Sequence, residues 1–159
     1  MSLTIRSATR EDIPLILELI RALAEYEREP HAVKATEADL GRTLFDEGAT
    51  AYCVLCEQDG AALGFAVYFF NYSTWTGRHG IYLEDLFVRT QARGQGAGLA
   101  LLRHLARLAV EKDCARFEWS VLDWNTPAIE FYTAAGARPQ DEWTVYRLQG
   151  QALHDFANG

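Results

Sequence analysis

Residues 81–98 read IYLEDLFVRTQARGQGAG, an apolar stretch that runs directly into a glycine-rich turn. Its apolar side chains stand at odd positions before the pair Glu84-Asp85 and at even positions after it: Ile81, Leu83, Leu86 and Val88. A slip of one residue in a strand is what a β-bulge produces, and a bulge re-aims the side chains that follow it. The stretch therefore predicts a strand with a bulge at Glu84-Asp85, followed by a helix.

The residues before this stretch predict two helices and three strands. Thr9 and Asp12 have the spacing of a helix cap, and Thr36 and Asp39 repeat it. Asp59-Gly60 supplies the positive φ angles of a tight hairpin turn between two β-rich runs. Apolar spacing then predicts a strand over 3–8, a helix from the Thr9 cap to about 25, a helix over 36–45 and an antiparallel pair over 51–57 and 61–72.

The residues after the turn predict a long helix over 99–109, a strand over 116–122, a helix over 125–135 closed by Gly136 and a final strand over 142–148. The order β-α-α-β-β-β-α-β-α-β indicates an α/β domain with a mixed sheet and helices on both faces. With 159 residues and 49% hydrophobic composition, the chain has room for one domain, 1–159.

Composition excludes several classes of function. A net charge of −7, from 15 Lys plus Arg against 22 Asp plus Glu, argues against nucleic acid as a partner. The sequence has no run of 18 apolar residues and no apolar segment near its start, so we expect a cytoplasmic protein without a membrane span. Cys53 and Cys56 lie in a strand-like run and, with Cys114, are predicted to be buried, reduced thiols. The four histidines lack ligand spacing, so no metal site is expected.

The segment 91–98, QARGQGAG, is called the glycine turn below. Its three glycines let backbone N–H groups point outward at the positive end of the following helix, an arrangement that binds pyrophosphate. A Rossmann turn belongs in an early βαβ unit, and a Walker loop needs Gly-Lys-Ser/Thr; the turn fits neither. A plain flexible connection is the alternative.

The chain resembles a known family. The pattern Gln/Arg-x-x-Gly-x-Gly/Ala, filled by Gln91, Gly94 and Gly96, is similar to the acetyl-CoA signature of the GCN5-related N-acetyltransferases (GNAT), and 125–136 is similar to their later motif. Residues 82–88, 93–98 and 124–127 are most similar to the spermidine/spermine branch, which includes enzymes acting on thialysine and related diamines. The resemblance implies a GNAT fold with six to seven strands, splayed at the cofactor strand, and about four flanking helices.

The resemblance also implies acetyl-CoA as cosubstrate, without a metal. Backbone groups of Leu86, Phe87 and Val88 would pair with pantetheine, and one of their N–H groups would polarise the thioester carbonyl. Asn125 would bond the pantetheine amide, or act only as a helix cap. The pyrophosphate would lie on the glycine turn, against Gln91, Arg93, Gly94, Gly96, Ala97 and Gly98.

Acyl transfer to an amine needs a proton acceptor and a proton donor. Glu84 is our candidate base, directly or through water; the alternative is a solvated or structural acid. The resemblance places Tyr132 beside the departing sulfur as a proton donor, and the alternative for Tyr132 is core packing with Phe131.

The implied partner is a small cationic amine, because acidic and aromatic side chains could hold its ammonium and line its methylenes: Tyr26, Glu27, Trp75, Glu84, Asp85, Asp123 and Trp124. We expect acetylation of a primary amine of a small di- or polyamine or a lysine-like amino acid, by direct attack in a ternary complex without a cysteine acyl-enzyme. The apolar final strand and the resemblance favour a homodimer. The alternatives are a protein or peptide N-acetyltransferase and a non-catalytic CoA-binding regulator.

Overall fold

Five strands form one mixed sheet in a computed structural model that describes residues 2–159. They lie side by side in chain order: β1 Thr4–Ser7, β2 Ala51–Gln58, β3 Ala61–Ser73, β4 Arg78–Val88 and β5 Arg116–Trp119. The first four are antiparallel, and β5 runs parallel to β4. Asp59 and Gly60 join β2 to β3 with φ angles of 53° and 81°, which confirms the predicted hairpin turn.

The described residues also form five α-helices: α1 Ile13–Tyr26, α2 Glu37–Leu40, α3 Ala97–Glu111, α4 Thr126–Ala134 and α5 Gly150–Ala157. The backbone N–H of Thr9 donates to Asp12 Oδ2 over 2.7 Å ahead of α1. Thr36 Oγ1 accepts from the Asp39 N–H over 3.1 Å at α2, which continues as a π-helical turn over Gly41–Phe45. Both predicted caps are confirmed.

The sheet and the helices up to Ser120 form one compact unit, and Val121–Gly159 form a second. Within the first unit, α1 packs on a sheet face that presents Cys53, Leu55, Phe65 and Phe87. The intervening residues of β2 point to the opposite face, where α3 packs through Leu101 and Leu105. Helices therefore lie on both faces, as the element order predicts.

The bulge lies where the slipped alternation predicts it. Asp85 pairs with Val67 and Leu83 pairs with Tyr68, so Glu84 is an extra residue without a partner on β3. A regular strand would place Asp85 on the same face as Leu83. Because of the extra residue, Asp85 instead shares the face of Phe87, which α1 covers.

The prediction of six to seven strands is wrong, because one sheet of five strands is present among the described residues. Residues 142–148 alternate like a strand but have an irregular backbone, and the unit Val121–Gly159 that contains them forms no strand. A strand needs a neighbour for its backbone hydrogen bonds, so alternation alone does not make a strand.

Two further elements differ from the sequence-based expectation. The strand predicted over 116–122 ends at Trp119, and the sequence did not predict α5. The homodimer stays a prediction.

The cysteines differ in burial. Cys53 and Cys56 are buried, as predicted, whereas Cys114 is half-buried between α3 and β5. Burial raises the pKa of the Cys53 thiol to about 12. Across residues 2–159 there is no helix of the length and apolarity that a bilayer crossing requires.

Gly64 allows β3 and β4 to approach each other closely. A Cβ at this position would lie 2.4 Å from the Phe87 carbonyl oxygen and 3.1 Å from Val88 Cα. We predict that Gly64→Ala lowers the free energy of unfolding by about 1–3 kcal/mol, because backbone must move to accept the methyl group. Denaturant unfolding of Gly64→Ala and of the wild type measures this difference in the free energy of unfolding.

Gly98→Ala is the matched control. Its Cβ would meet only Val88 Cγ2, at 3.7 Å, and alanine favours the helix, so stability should be unchanged or higher. Equal stability of Gly64→Ala and the wild type would contradict the close approach.

Candidate active site

The end of β4 has an open backbone edge. The Arg89 N–H donates to the Leu63 carbonyl over 2.8 Å, so Arg89 faces β3. Because backbone direction alternates along a strand, Phe87 also faces β3, whereas Leu86 and Val88 face away from it. On that side β5 pairs only with Gly80 to Leu83 and stops before the bulge. The N–H groups of Leu86 and Val88, called the open edge below, can therefore pair with an extended ligand.

The glycine turn follows the open edge and leads into α3. Gly94 and Gly96 have φ angles of 83° and 87°, in the left-handed region that favours glycine. Gly96 caps the 15-residue helix α3, and the N–H groups of its first turn are the positive end of the helix dipole. Gln91 lies exposed in a short 3-10 turn, and Ala97 is buried and offers only its backbone. This geometry suits an anion such as a pyrophosphate.

Arg93 projects from the glycine turn towards the end of α1. Its Nε donates to the Val88 carbonyl over 3.3 Å. Its guanidinium carbon lies 4.5 Å from the centroid of the Tyr26 ring and 5.9 Å from that of Phe87. Sequence reasoning assigned Tyr26 to the amine, but the structure places its ring against this arginine.

Three carboxylates gather at the bulge and the end of α1: Glu27, Glu84 and Asp85, called the carboxylate cluster below. Burial, together with smaller contributions from the negative charges of Glu84 and Glu27, raises the pKa of Asp85 to about 6. Burial also raises the pKa of Glu27, with a second contribution from Glu84. The charges of Glu84 and Glu27 thus act on the buried Asp85, and acids grouped in this way attract a cation.

Arg89 positions the open edge, and sequence reasoning missed it. Its Nη2 lies 2.6 Å from Glu18 Oε2 on α1, and its Nε donates to the Ala62 carbonyl over 3.0 Å. These contacts tie the end of β4 to both α1 and β3. Glu18 and Arg89 are 71 residues apart, so no local pattern could have paired them.

Among the predicted residues of the first unit, Trp75 does not join this group. Trp75 lies in the turn between β3 and β4, with 82% of its surface exposed. This turn leads into β4 at Arg78, six residues or about 20 Å along the strand from Glu84. Four others belong to the second unit: Asp123, Trp124, Asn125 and Tyr132. Asn125 Oδ1 accepts from the Ala128 N–H over 3.4 Å and caps α4, and the Tyr132 ring lies 5.5 Å from that of Phe131.

A family model for GNAT acetyltransferases matches residues 15–137. The chain belongs to the GNAT family. It is 39% identical to a thialysine N-epsilon-acetyltransferase from Sus scrofa, over 98% of each chain. It is 32% identical to the L-ornithine N5-acetyltransferase NATA1 from Arabidopsis thaliana, over 94% of this chain and 85% of the relative. A solved integron cassette protein from V. cholerae superposes with a TM-score of 0.83 at 31% identity, covering 100% and 99% of the two chains.

These findings confirm the resemblance stated above, and they show that the protein is an N-acetyltransferase that transfers acetyl from acetyl-CoA to an amine. The geometry fits this cosubstrate. The open edge offers N–H groups to an extended amide chain, and the left-handed glycines, Arg93 and the α3 N-terminus suit its pyrophosphate. In the part of the chain that the structure describes, no group of three or more His, Cys, Asp or Glu side chains is arranged to hold a metal ion.

The raised pKa of Asp85 predicts a pH dependence of stability. The folded state binds this proton more tightly than the unfolded state, so wild-type stability falls as pH rises from about 4 through about 6. Asp85→Asn removes the ionisation. We expect the variant to be more stable than the wild type by about 1–2 kcal/mol above pH 7, with the difference shrinking below pH 5. Unfolding between pH 4 and 8 measures it.

Asp141→Asn, at an exposed turn, is the control and should show no such trend. A pH-independent difference between Asp85→Asn and the wild type would refute a buried, repelled carboxylate at this position.

Proposed function

We propose that this protein acetylates a primary amine of a small di- or polyamine or of a lysine-like amino acid. The observation that carries the proposal is the carboxylate cluster next to the open edge: Glu27, Glu84 and Asp85 lie where β5 stops pairing with β4. The names of relatives acting on thialysine and ornithine, both small amino acids with a side-chain amine, support the same class. We also propose that 1–159 forms one N-acetyltransferase domain, since the family match spans both units.

The carboxylate cluster favours a substrate with more than one positive charge. Three acids that repel one another gain most from a ligand that brings positive charge among them. One ammonium group of a diamine can remain charged against two of the acids, while the other is the reacting amine. A neutral or anionic acceptor would leave the repulsion in place.

The reacting amine must lose a proton before it can attack, because an alkylammonium titrates near about 10.4. Glu84 is exposed on the bulge and is our proposed acceptor, directly or through one water. Asp85 is half-buried behind it, and its pKa of about 6 makes it a second group able to take a proton near neutral pH. When Glu84 is the acceptor, Glu27 and Asp85 hold the distal ammonium.

Two further groups of the chain serve the acetyl transfer. An N–H of the open edge, from Leu86 or Val88, polarises the thioester carbonyl. Tyr132 donates a proton to the thiolate as the carbon–sulfur bond breaks and the carbon–nitrogen bond forms, a role that rests on the family resemblance. Acetyl-CoA supplies the activated acyl group.

The cysteines support direct transfer to the amine. A nucleophilic cysteine needs a thiolate and access to the substrate. Cys53 is buried with its pKa raised to about 12, Cys56 is buried, and burial raises the pKa of Cys114 as well. None of the three lies in the open edge or the glycine turn.

A panel of acceptors tests the proposed function. CoA release from acetyl-CoA should saturate with at least one of thialysine, lysine, ornithine, putrescine and spermidine, and should be much slower with N-terminal or histone-tail peptides. Glu84→Gln should lower kcat/KM by about 10²-fold with the best amine. Asp141→Asn, at an exposed turn, is the matched control. Turnover with peptides alone would overturn the small-amine proposal.

Tyr132→Phe tests the proton donor. Loss of the hydroxyl should lower kcat by about 10²-fold or more while the dissociation constant for acetyl-CoA stays close to the wild-type value. Rate constants and calorimetric binding are compared on the same preparations. An unchanged kcat would assign Tyr132 to packing beside Phe131 instead.

A further inference from the structure

The residue Arg93 connects two parts of the first unit that lie far apart in the chain. It follows β4 in the glycine turn, whereas Tyr26 is the last residue of α1. The Arg93 guanidinium carbon nevertheless lies 4.5 Å from the centre of the Tyr26 ring. The separation is well inside the range of about 6 Å over which an aromatic face attracts a guanidinium.

The helix that carries Tyr26 is held in place independently of Arg93. Tyr26 is half-buried, and α1 is anchored to the sheet by its buried face, which includes Ile16, Leu19 and Leu23. The ion pair between Glu18 and Arg89 ties the same helix to the end of β4. The ring therefore projects from the anchored end of α1 towards the glycine turn.

Arg93 itself is exposed and would otherwise be free to sample many rotamers, at a cost of roughly 2 kcal/mol when it is immobilised. The guanidinium carbon lies over the Tyr26 ring, and the bond to the Val88 carbonyl uses Nε. The two terminal nitrogens remain in the plane of the group, where their N–H groups can donate to an anion in a bidentate fashion. Gly94 and Gly96 follow directly in the chain, with α3 beginning after them.

We infer that Tyr26 is a positioning residue for the cosubstrate: its ring holds the Arg93 guanidinium with its terminal N–H groups ready for the pyrophosphate of acetyl-CoA. The inference rests on the proposed placement of pyrophosphate at the glycine turn. It replaces our sequence-based assignment of Tyr26 to the methylene chain of the amine. It also makes the end of α1 common to both substrates, since Glu27 follows Tyr26 directly and belongs to the carboxylate cluster.

Calorimetric binding of CoA to Tyr26 variants tests the inference without catalysis. Tyr26→Leu keeps an apolar side chain but removes the aromatic face, and should weaken CoA binding by about two- to five-fold. Tyr26→Phe keeps the face and should bind CoA as the wild type does. Arg93→Lys keeps the charge but loses the planar fork, so Tyr26→Leu added to Arg93→Lys should have no further effect. Thermal unfolding of each variant checks that it folds.

Kinetics with the best amine of the panel distinguish a role of Tyr26 in binding acetyl-CoA from a role in binding the amine. The inference expects Tyr26→Leu to raise the KM for acetyl-CoA and to leave the KM for the amine unchanged. A raised amine KM with unchanged CoA affinity would overturn it, as would an equal effect of Tyr26→Leu in the presence and absence of Arg93. A wild-type chain that binds no CoA would overturn the proposed function as well, so the two failures are distinguishable.

Discussion

At Glu84, β4 carries one residue more than β3 can pair with, and the rest of the site depends on that extra residue. It places Asp85 on the face covered by α1, where Glu27 lies. It also coincides with the end of β5 pairing at Leu83, so the backbone of Leu86 and Val88 faces an edge that no strand of the first unit occupies. The irregularity thus places Asp85 against α1 at the point where the open edge begins.

The contacts around this irregularity hold backbone in place more than they stabilise the fold. Exposed ion pairs such as Glu18 with Arg89 contribute little to the free energy of unfolding, typically about 0–1 kcal/mol. The pair nevertheless fixes where β4 ends relative to α1. At the start of α1, Arg6 Nη1 lies 2.8 Å from Asp12 Oδ2, and Arg6 Nη2 lies 3.0 Å from Glu57 Oε2. These two ion pairs join β1, β2 and the helix start. α1 is therefore anchored by charge at its start, by apolar packing along its length and by Arg89 near its middle.

The carboxylate cluster opposes stability, and under the proposed function its role is to bind a cation. Burying Asp85 beside two other acids raises its pKa, so the folded state is penalised when all three are ionised. A cationic ligand relieves that penalty, whereas a purely structural site would pair each acid with a resident arginine or lysine. Asp12, which has Arg6 as such a partner, shows the contrast, because the arginine lowers its pKa to about 2.

Local chemistry determined much of this protein from the sequence alone. The caps at Thr9 and Thr36, the Asp59-Gly60 turn, the bulge and the glycine turn before α3 each follow from a few adjacent residues, and each is present. Tertiary structure decided what depends on partners distant in the chain. The alternating residues 142–148 form no strand, because alternation by itself supplies no partner for backbone hydrogen bonds. Arg89 and Tyr26 acquire their contacts only when α1 packs on the sheet. Periodicity records which face a residue prefers, whereas pairing, burial and charge proximity exist only after the chain has folded.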